Sequence, residues 1–187
     1  MSKKIVILAS GNGSNAEQII THFRRNGLAE VSLVITNNPH AGVLERCRRL
    51  DVPTLVANRD DFYMNQVVIQ RLKSEKPDLV VLAGFLWLIP AEIIQAFCNR
   101  IINIHPALLP KFGGKGMYGH HVHEAIIAAN EPTSGITIHY VNEKYDEGST
   151  IFQATVALEK GETPDSLAQK IHLLEYQHFP EIIEGLL

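Results

Sequence analysis

The chain has 187 residues, 45% of them hydrophobic and 20% charged, the balance of a soluble globular protein long enough to bury a real core. A net charge of -3 and an isoelectric point near 6.3 provide no basic field for nucleic acid, and no apolar run approaches the roughly 20 residues that cross a bilayer. Cys47 and Cys98 have neither metal-type spacing nor a disulfide-rich context, so a cytoplasmic protein without nucleic-acid or membrane partners is expected.

Residues 5–9, Ile-Val-Ile-Leu-Ala, form a short unbroken apolar run, the pattern of a parallel strand covered on both faces. Too short for a signal-peptide core, it leads straight into Ser10-Gly11-Asn12-Gly13-Ser14-Asn15 and a helical stretch from residue 16 to about 25. Strand, glycine turn and helix N-terminus in that order make an anion site, because free helix N–H groups and the helix dipole favour a phosphate. The turn lacks the last glycine of a dinucleotide fingerprint and the lysine of a P-loop, so alone it reads equally as a structural tight turn.

Residues 31–36 read as the second strand, and residues 42–50 as a helix whose Arg46, Arg48 and Arg49 lie on a solvated face. A brief third strand follows at 54–56, then a helix capped by an aspartate after Arg59 and running to residue 73. Arg59 itself reads as an anion contact or as a surface salt bridge. Residues 79–83 suit a central parallel strand, and Gly84-Phe85-Leu86-Trp87-Leu88-Ile89-Pro90 reads as core or as the wall of a pocket for a flat ligand. The alternation of strands and helices implies right-handed crossovers and an open sheet with its ligand site at the strands' carboxyl ends.

At residues 101–110, I-I-N-I-H-P-A-L-L-P, Asn103 and His105 alternate with isoleucines and so project from one face of a strand. An amide that can donate to an oxygen gaining negative charge, beside an imidazole that can move a proton, suits catalysis. A satisfied buried His and a turn-capping Asn fit the same residues. Four glycines within 111–119 mark a loop able to serve as a lid or substrate rim. His120, His121 and His123 follow with a spacing that matches neither H-E-x-x-H nor a Cys/His zinc site, so no metal is expected, and a helix begins at 123.

Residues 133–141 and 151–158 read as strands whose short link makes them an antiparallel pair appended to the parallel sheet. Asp146, in that link, either meets His105, raising its pKa and fixing its tautomer, or solvates a turn. Thr163-Pro164-Asp165-Ser166 starts the last helix, with Leu167, Ile171, Leu174 and His178 at helical spacing and His172 and Glu175 sharing a face. Without linker or repeat, the expectation is one α/β domain over 1–187. Its Rossmann-like open, mostly parallel sheet is flanked by helices and carries an antiparallel strand pair near the C-terminus.

Taken together, S-G-N-G-S-N at 10–15, L-A-G-F at 82–85, I-N-I-H-P-A-L-L-P at 102–110, G-I-T-I-H-Y-V at 135–141, D-E-G at 146–148 and His172 with Glu175 resemble the phosphoribosylglycinamide formyltransferases, a folate-dependent family. The resemblance spans first strand to last helix and implies formyl transfer from 10-formyltetrahydrofolate, as co-substrate, to glycinamide ribonucleotide in purine synthesis. By that resemblance Gly13, Ser14 and Asn15 hold the substrate phosphate, with His172 and Glu175 on the ribose side. Asn103, His105 and Asp146 form the catalytic group, with His139 beside it and a cationic His105 steadying the oxyanion. Arg59, Leu86, Trp87, Leu88 and Ile89, with Asn142, Glu143, Lys144 and Tyr145, enclose the folate. A monomer or homodimer is implied.

Three features depart from the better-known bacterial members: Trp87 replaces an arginine, the loop 113–121 is longer, and Ser149 replaces a frequent proline. Transfer to another amine, formyltetrahydrofolate hydrolysis, and ligand sensing without chemistry are the competing expectations. The first two often carry an added domain, for which this chain has no room.

Overall fold

The computed structural model describes residues 2–187. In chain order the elements are β1 (Lys3–Leu8), α1 (Ser14–Asn26), β2 (Ala29–Thr36), α2 (Gly42–Arg49), β3 (Thr54–Val56), α3 (Arg59–Tyr63), α4 (Val67–Glu75), β4 (Leu79–Leu82), α5 (Ala91–Ala96), β5 (Ile101–His105), α6 (His120–Ala128), β6 (Thr133–Tyr140), β7 (Thr150–Ala157) and α7 (Pro164–Leu186). The seven strands make one sheet in the order β3-β2-β1-β4-β5-β6-β7.

The unbroken apolar runs exist because both faces of the sheet are covered. Ile5, Ile7, Leu79 and Val81 pack on one side with Phe23, Ile171 and Phe179, while Val6, Leu8, Val80 and Leu82 pack on the other with Phe62, Leu72 and Phe97. Alternate residues of one strand thus enter different cores, and each fully buried Ile, Leu or Phe contributes roughly 1.5–3 kcal/mol.

Chain order fixes where a ligand can enter. From β1 the chain steps outward through β2 and β3, then returns to the opposite side of β1 as β4. Such a reversal leaves a crevice beyond the strands' carboxyl ends. The mostly parallel sheet with its antiparallel pair is as the sequence predicts. Since β6 pairs antiparallel with both β5 and β7, β6 alone runs against the rest.

Four local expectations change. The helix predicted to run unbroken to residue 73 is two helices, α3 and α4, interrupted where Gln66 adopts a left-handed conformation with φ 59°. The cap of α3 is Asn58, whose side chain accepts from the Asp61 N–H while the Asp61 carboxylate accepts from the Asn58 N–H. Helix α6 begins at His120 rather than 123. On α7 the buried stripe is Leu167, Ile171, Glu175, Phe179 and Ile183, a spacing of four that sets a carboxylate where an apolar residue belongs.

Candidate active site

A cavity of about 720 Å³ opens at the carboxyl ends of β1, β4 and β5, the size of a pocket for a small organic ligand. Its floor is the glycine turn. Gly13 has φ 77°, and a Cβ there would lie 2.5 Å from the Val43 side chain, so only glycine lets the chain enter α1 this close to α2. No side chain caps α1, leaving its first N–H groups free for an anion. Arg46 fixes this turn from α2: its Nε donates to the Asn12 carbonyl at 2.7 Å, and it forms an ion pair with Glu17 of α1, as does Arg49.

The next group gathers at the end of β5. Asn103 lies directly across from His139 on β6, and its Nδ2 donates to His139 Nε2 at 3.1 Å and, longer, to Asp146 Oδ1 at 3.4 Å. The neighbouring carbonyls fix both rings. His139 Nδ1 donates to the Tyr140 carbonyl at 2.8 Å, so its Nε2 accepts from Asn103. His105 Nε2 donates to the Phe112 carbonyl at 2.8 Å, which leaves Nδ1 facing Asp146 Oδ2 at 3.5 Å.

Burial outweighs the pull of Asp146 and of the Phe112 carbonyl on His105, and holds its pKa below the usual imidazole value. Burial also opposes ionisation of Asp146, but the neighbouring His139 and His105 rings and the Gly114 N–H, which donates to Oδ2 at 2.9 Å, hold its pKa below the carboxylate range. The resting pair is therefore an ionised Asp146 and a neutral His105. The cationic His105 expected from the sequence is not the resting form.

Asp146 is delivered by tight backbone geometry. A Cβ at Gly148 would sit 1.6 Å from the Tyr140 carbonyl oxygen, so the loop can cross the end of β6 only with glycine there.

One side of the cavity is apolar. Leu86, Trp87, Leu88 and Ile89 line it, and Trp87 packs edge-on to Phe62, with Tyr63 5.9 Å away. The wall is tied to the glycine turn, since the Leu86 N–H donates to Ser10 Oγ at 3.0 Å and the Ser10 N–H to the Gly84 carbonyl at 3.0 Å. On the opposite side Glu175, 5% exposed, accepts from Asn15 Nδ2 at 2.9 Å and lies 3.0 Å from His172 Nδ1, whose pKa it raises by hydrogen bond and charge.

The formyl transferase family model matches residues 3–183. The chain belongs to the formyl transferase family. Among proteins similar to this formyl transferase, the chloroplastic phosphoribosylglycinamide formyltransferase of Arabidopsis thaliana is 40% identical over 190 residues, 98% of this chain and 65% of the relative. The chain thus spans about two thirds of that plant protein's length. The phosphoribosylglycinamide formyltransferase of Bacillus subtilis is 35% identical over 190 residues, covering 99% of this chain and 95% of the relative. The crystal structure of glycinamide ribonucleotide transformylase 1 from Geobacillus kaustophilus superposes with a TM-score of 0.91 at 32% identity over 100% of both chains.

In this formyl transferase the cavity brings together Gly13, Ser14, Asn15, Asn103, His105, Asp146, His172 and Glu175 with Leu86, Trp87, Leu88, Ile89, Asn142, Lys144 and Tyr145. Two of the anticipated residues stand outside it. Arg59 stacks over Tyr63 and Trp87, 5.6 and 5.8 Å from their ring centres, behind the wall. Glu143 is exposed and does not line the cavity.

Sequence reasoning missed Arg46, read as solvated; no local signal distinguished it from Arg48, which pairs with Glu45 on its own helix. It also left His123 without a role. Its spacing between Val122 and Ile126, on the buried side of the helix, was the available clue. Among the described residues no group of three or more His, Cys, Asp or Glu is arranged for a metal, and no helix is long and apolar enough to cross a membrane.

Proposed function

We propose that this formyl transferase moves the formyl group of 10-formyltetrahydrofolate to the amine of glycinamide ribonucleotide in de novo purine biosynthesis, from a single domain over 1–187. The observation that carries the reading is one cavity in which an uncapped, glycine-entered helix N-terminus, an Asn-His-Asp group and an apolar aromatic-backed wall meet. A phosphate, a reacting carbonyl and a flat ring system each find suitable chemistry there, and similar proteins carry the corresponding names.

The residues divide the work as follows. Gly13, Ser14 and Asn15 receive the phosphate through backbone N–H groups, and Glu175 with His172 holds the sugar side. The folate lies against Leu86, Trp87, Leu88 and Ile89, with the loop at Asn142, Lys144 and Tyr145 closing over it and Arg59 acting through its stack on Trp87. The substrate nitrogen forms a bond to the formyl carbon while the carbonyl electrons move to oxygen, to which Asn103 donates the N–H that at rest makes the long contact with Asp146 Oδ1. His105 takes the proton lost by that nitrogen. Because Nε2 already carries hydrogen, the proton arrives at Nδ1, beside ionised Asp146, which stabilises the new cation. The proton then follows the departing folate nitrogen as the carbon–nitrogen bond to it breaks. His139 keeps Asn103 oriented. A cytoplasmic monomer or homodimer belongs to this reading.

The test follows loss of 10-formyltetrahydrofolate with and without glycinamide ribonucleotide. Loss strictly dependent on the ribonucleotide, with one formylated product per folate released, is the expected result. Equal loss without any amine would replace transfer by hydrolysis.

A further inference from the structure

Two buried polar atoms bordering the cavity have no partner in the protein: Nδ1 of His123, a residue 4% exposed, and Oδ1 of Asn15. Buried polar atoms are nearly always paired, and leaving one unpaired costs about 1–3 kcal/mol. Both flank the same carboxylate. Asn15 Nδ2 donates to Glu175, which fixes the amide so that Oδ1 is an acceptor turned to another partner. The charged and titratable groups around His123 are Glu175 and His172 on α7, His120 on its own helix and His105 on β5, and burial pushes its pKa down to about 4. His123 is therefore an uncharged ring with one donor and one acceptor nitrogen.

The chemistry of this corner selects a ligand. Glu175 and Asn15 Oδ1 both accept, so they require donors, and a phosphate dianion has none and is repelled by the carboxylate. Hydroxyl groups donate and accept together, which matches two acceptors and a neutral imidazole. Resting on the proposed function, we propose that His123 is a substrate-binding residue that joins Asn15 and Glu175 in receiving the vicinal hydroxyl pair of the ribosyl unit. The phosphate then occupies the adjoining N-terminus of α1, since Asn15 belongs to both features.

The test compares glycinamide ribonucleotide with its 2′-deoxyribosyl and 3′-deoxyribosyl analogues in the full-length enzyme and in His123→Leu and His123→Gln. The intact enzyme should favour the ribosyl substrate over at least one analogue by about tenfold in kcat/KM, the size of one hydrogen bond. His123→Leu should raise KM for the ribosyl substrate about tenfold, leave KM for the formyl donor unchanged, and abolish the discrimination, with His123→Gln restoring part of it. Discrimination that persists unchanged in His123→Leu would overturn the proposal, because a purely structural role moves stability without moving a ratio between two sugars.

If His123→Leu does not fold, the ring-15N-labelled intact enzyme replaces it. The ribosyl substrate should shift the His123 signal and the matching deoxy analogue should not; identical spectra with both overturn the proposal. An enzyme that ignores glycinamide ribonucleotide, yet shows this His123 shift with another ribosyl phosphate, overturns the proposed function and keeps the sugar site.

Discussion

His105 Nδ1 stands 3.5 Å from Asp146 Oδ2, while the opposite nitrogen of the same ring donates to the Phe112 carbonyl at 2.8 Å. The two contacts leave one vacant basic position on a neutral imidazole, and that position lies beside an ionised carboxylate. A proton arriving there converts an unpaired buried nitrogen into half of an ion pair. In a buried site this is worth more than in water.

Removing the carboxylate charge should therefore cost turnover, not folding. Asp146→Asn is expected to lower kcat by about 10² to 10⁴-fold, the range for loss of a group that stabilises charge in the reaction. Urea unfolding of the same variant should stay near the parent. Near-parental kcat would remove Asp146 from the mechanism.

The depressed His105 pKa also predicts a pH profile. A base must be neutral, so kcat should hold level as pH falls through 6.5, the ordinary imidazole value, and decline only below it. A kcat that climbs as pH falls through that value would mean His105 enters the reaction charged, as the sequence resemblance suggested.

Arg46 joins the glycine turn to α2 and to Glu17 of α1, so it acts on the phosphate site without touching the cavity. Arg46→Ala should raise KM for the phosphorylated substrate by roughly five- to tenfold, about 1 kcal/mol, with kcat at saturation largely preserved. Isothermal titration with each substrate checks this. An equal loss of affinity for the formyl donor would mean a general loosening of the fold.

Trp87 stands on Phe62 and under the Arg59 guanidinium. Trp87→Ala should weaken binding of the formyl donor by about tenfold, the scale of one aromatic contact, and free Arg59 from its stack. Affinity for the ribonucleotide should not change. Quenching of the single tryptophan of the intact chain by the folate gives an independent reading.

Stability should fall on acidification in a defined window. The folded pKa of His123 lies at about 4, against 6.5 when unfolded. The unfolded chain then binds more protons between these values, so stability is full above about 6.5 and is lost as pH falls towards 4. The loss from this group is at most roughly 3 kcal/mol, and His105 acts in the same direction. Urea midpoints at pH 7, 5.5 and 4 should drop in the parent and drop less in His123→Leu. An equal decline in both would assign the acid sensitivity elsewhere.

What could be read locally was what neighbours in sequence decide. The run of residues 5–9 announces a strand covered on both faces, and Asn103 and His105 must share a face because side chains alternate. The single helix predicted to residue 73 failed for a local reason too: a left-handed Gln66 breaks it, and no glycine or proline marks that position.

The sequence by itself determined the order of the seven strands, the glycine turn that leads into a helix after Gly13, and the residue types able to stabilise an oxyanion and move a proton. Tertiary structure alone decided which partners meet. Asn15 reaches Glu175 across 160 positions, and Asn103 reaches Asp146 across 43. Arg46 turned from solvent to the glycine turn, and Arg59 went behind the wall that it was expected to line. His105 became neutral because burial, which no local pattern records, outweighs a nearby charge. Periodicity acts over a few residues, whereas burial, tautomer and pairing depend on sheet order and on which faces close over one another.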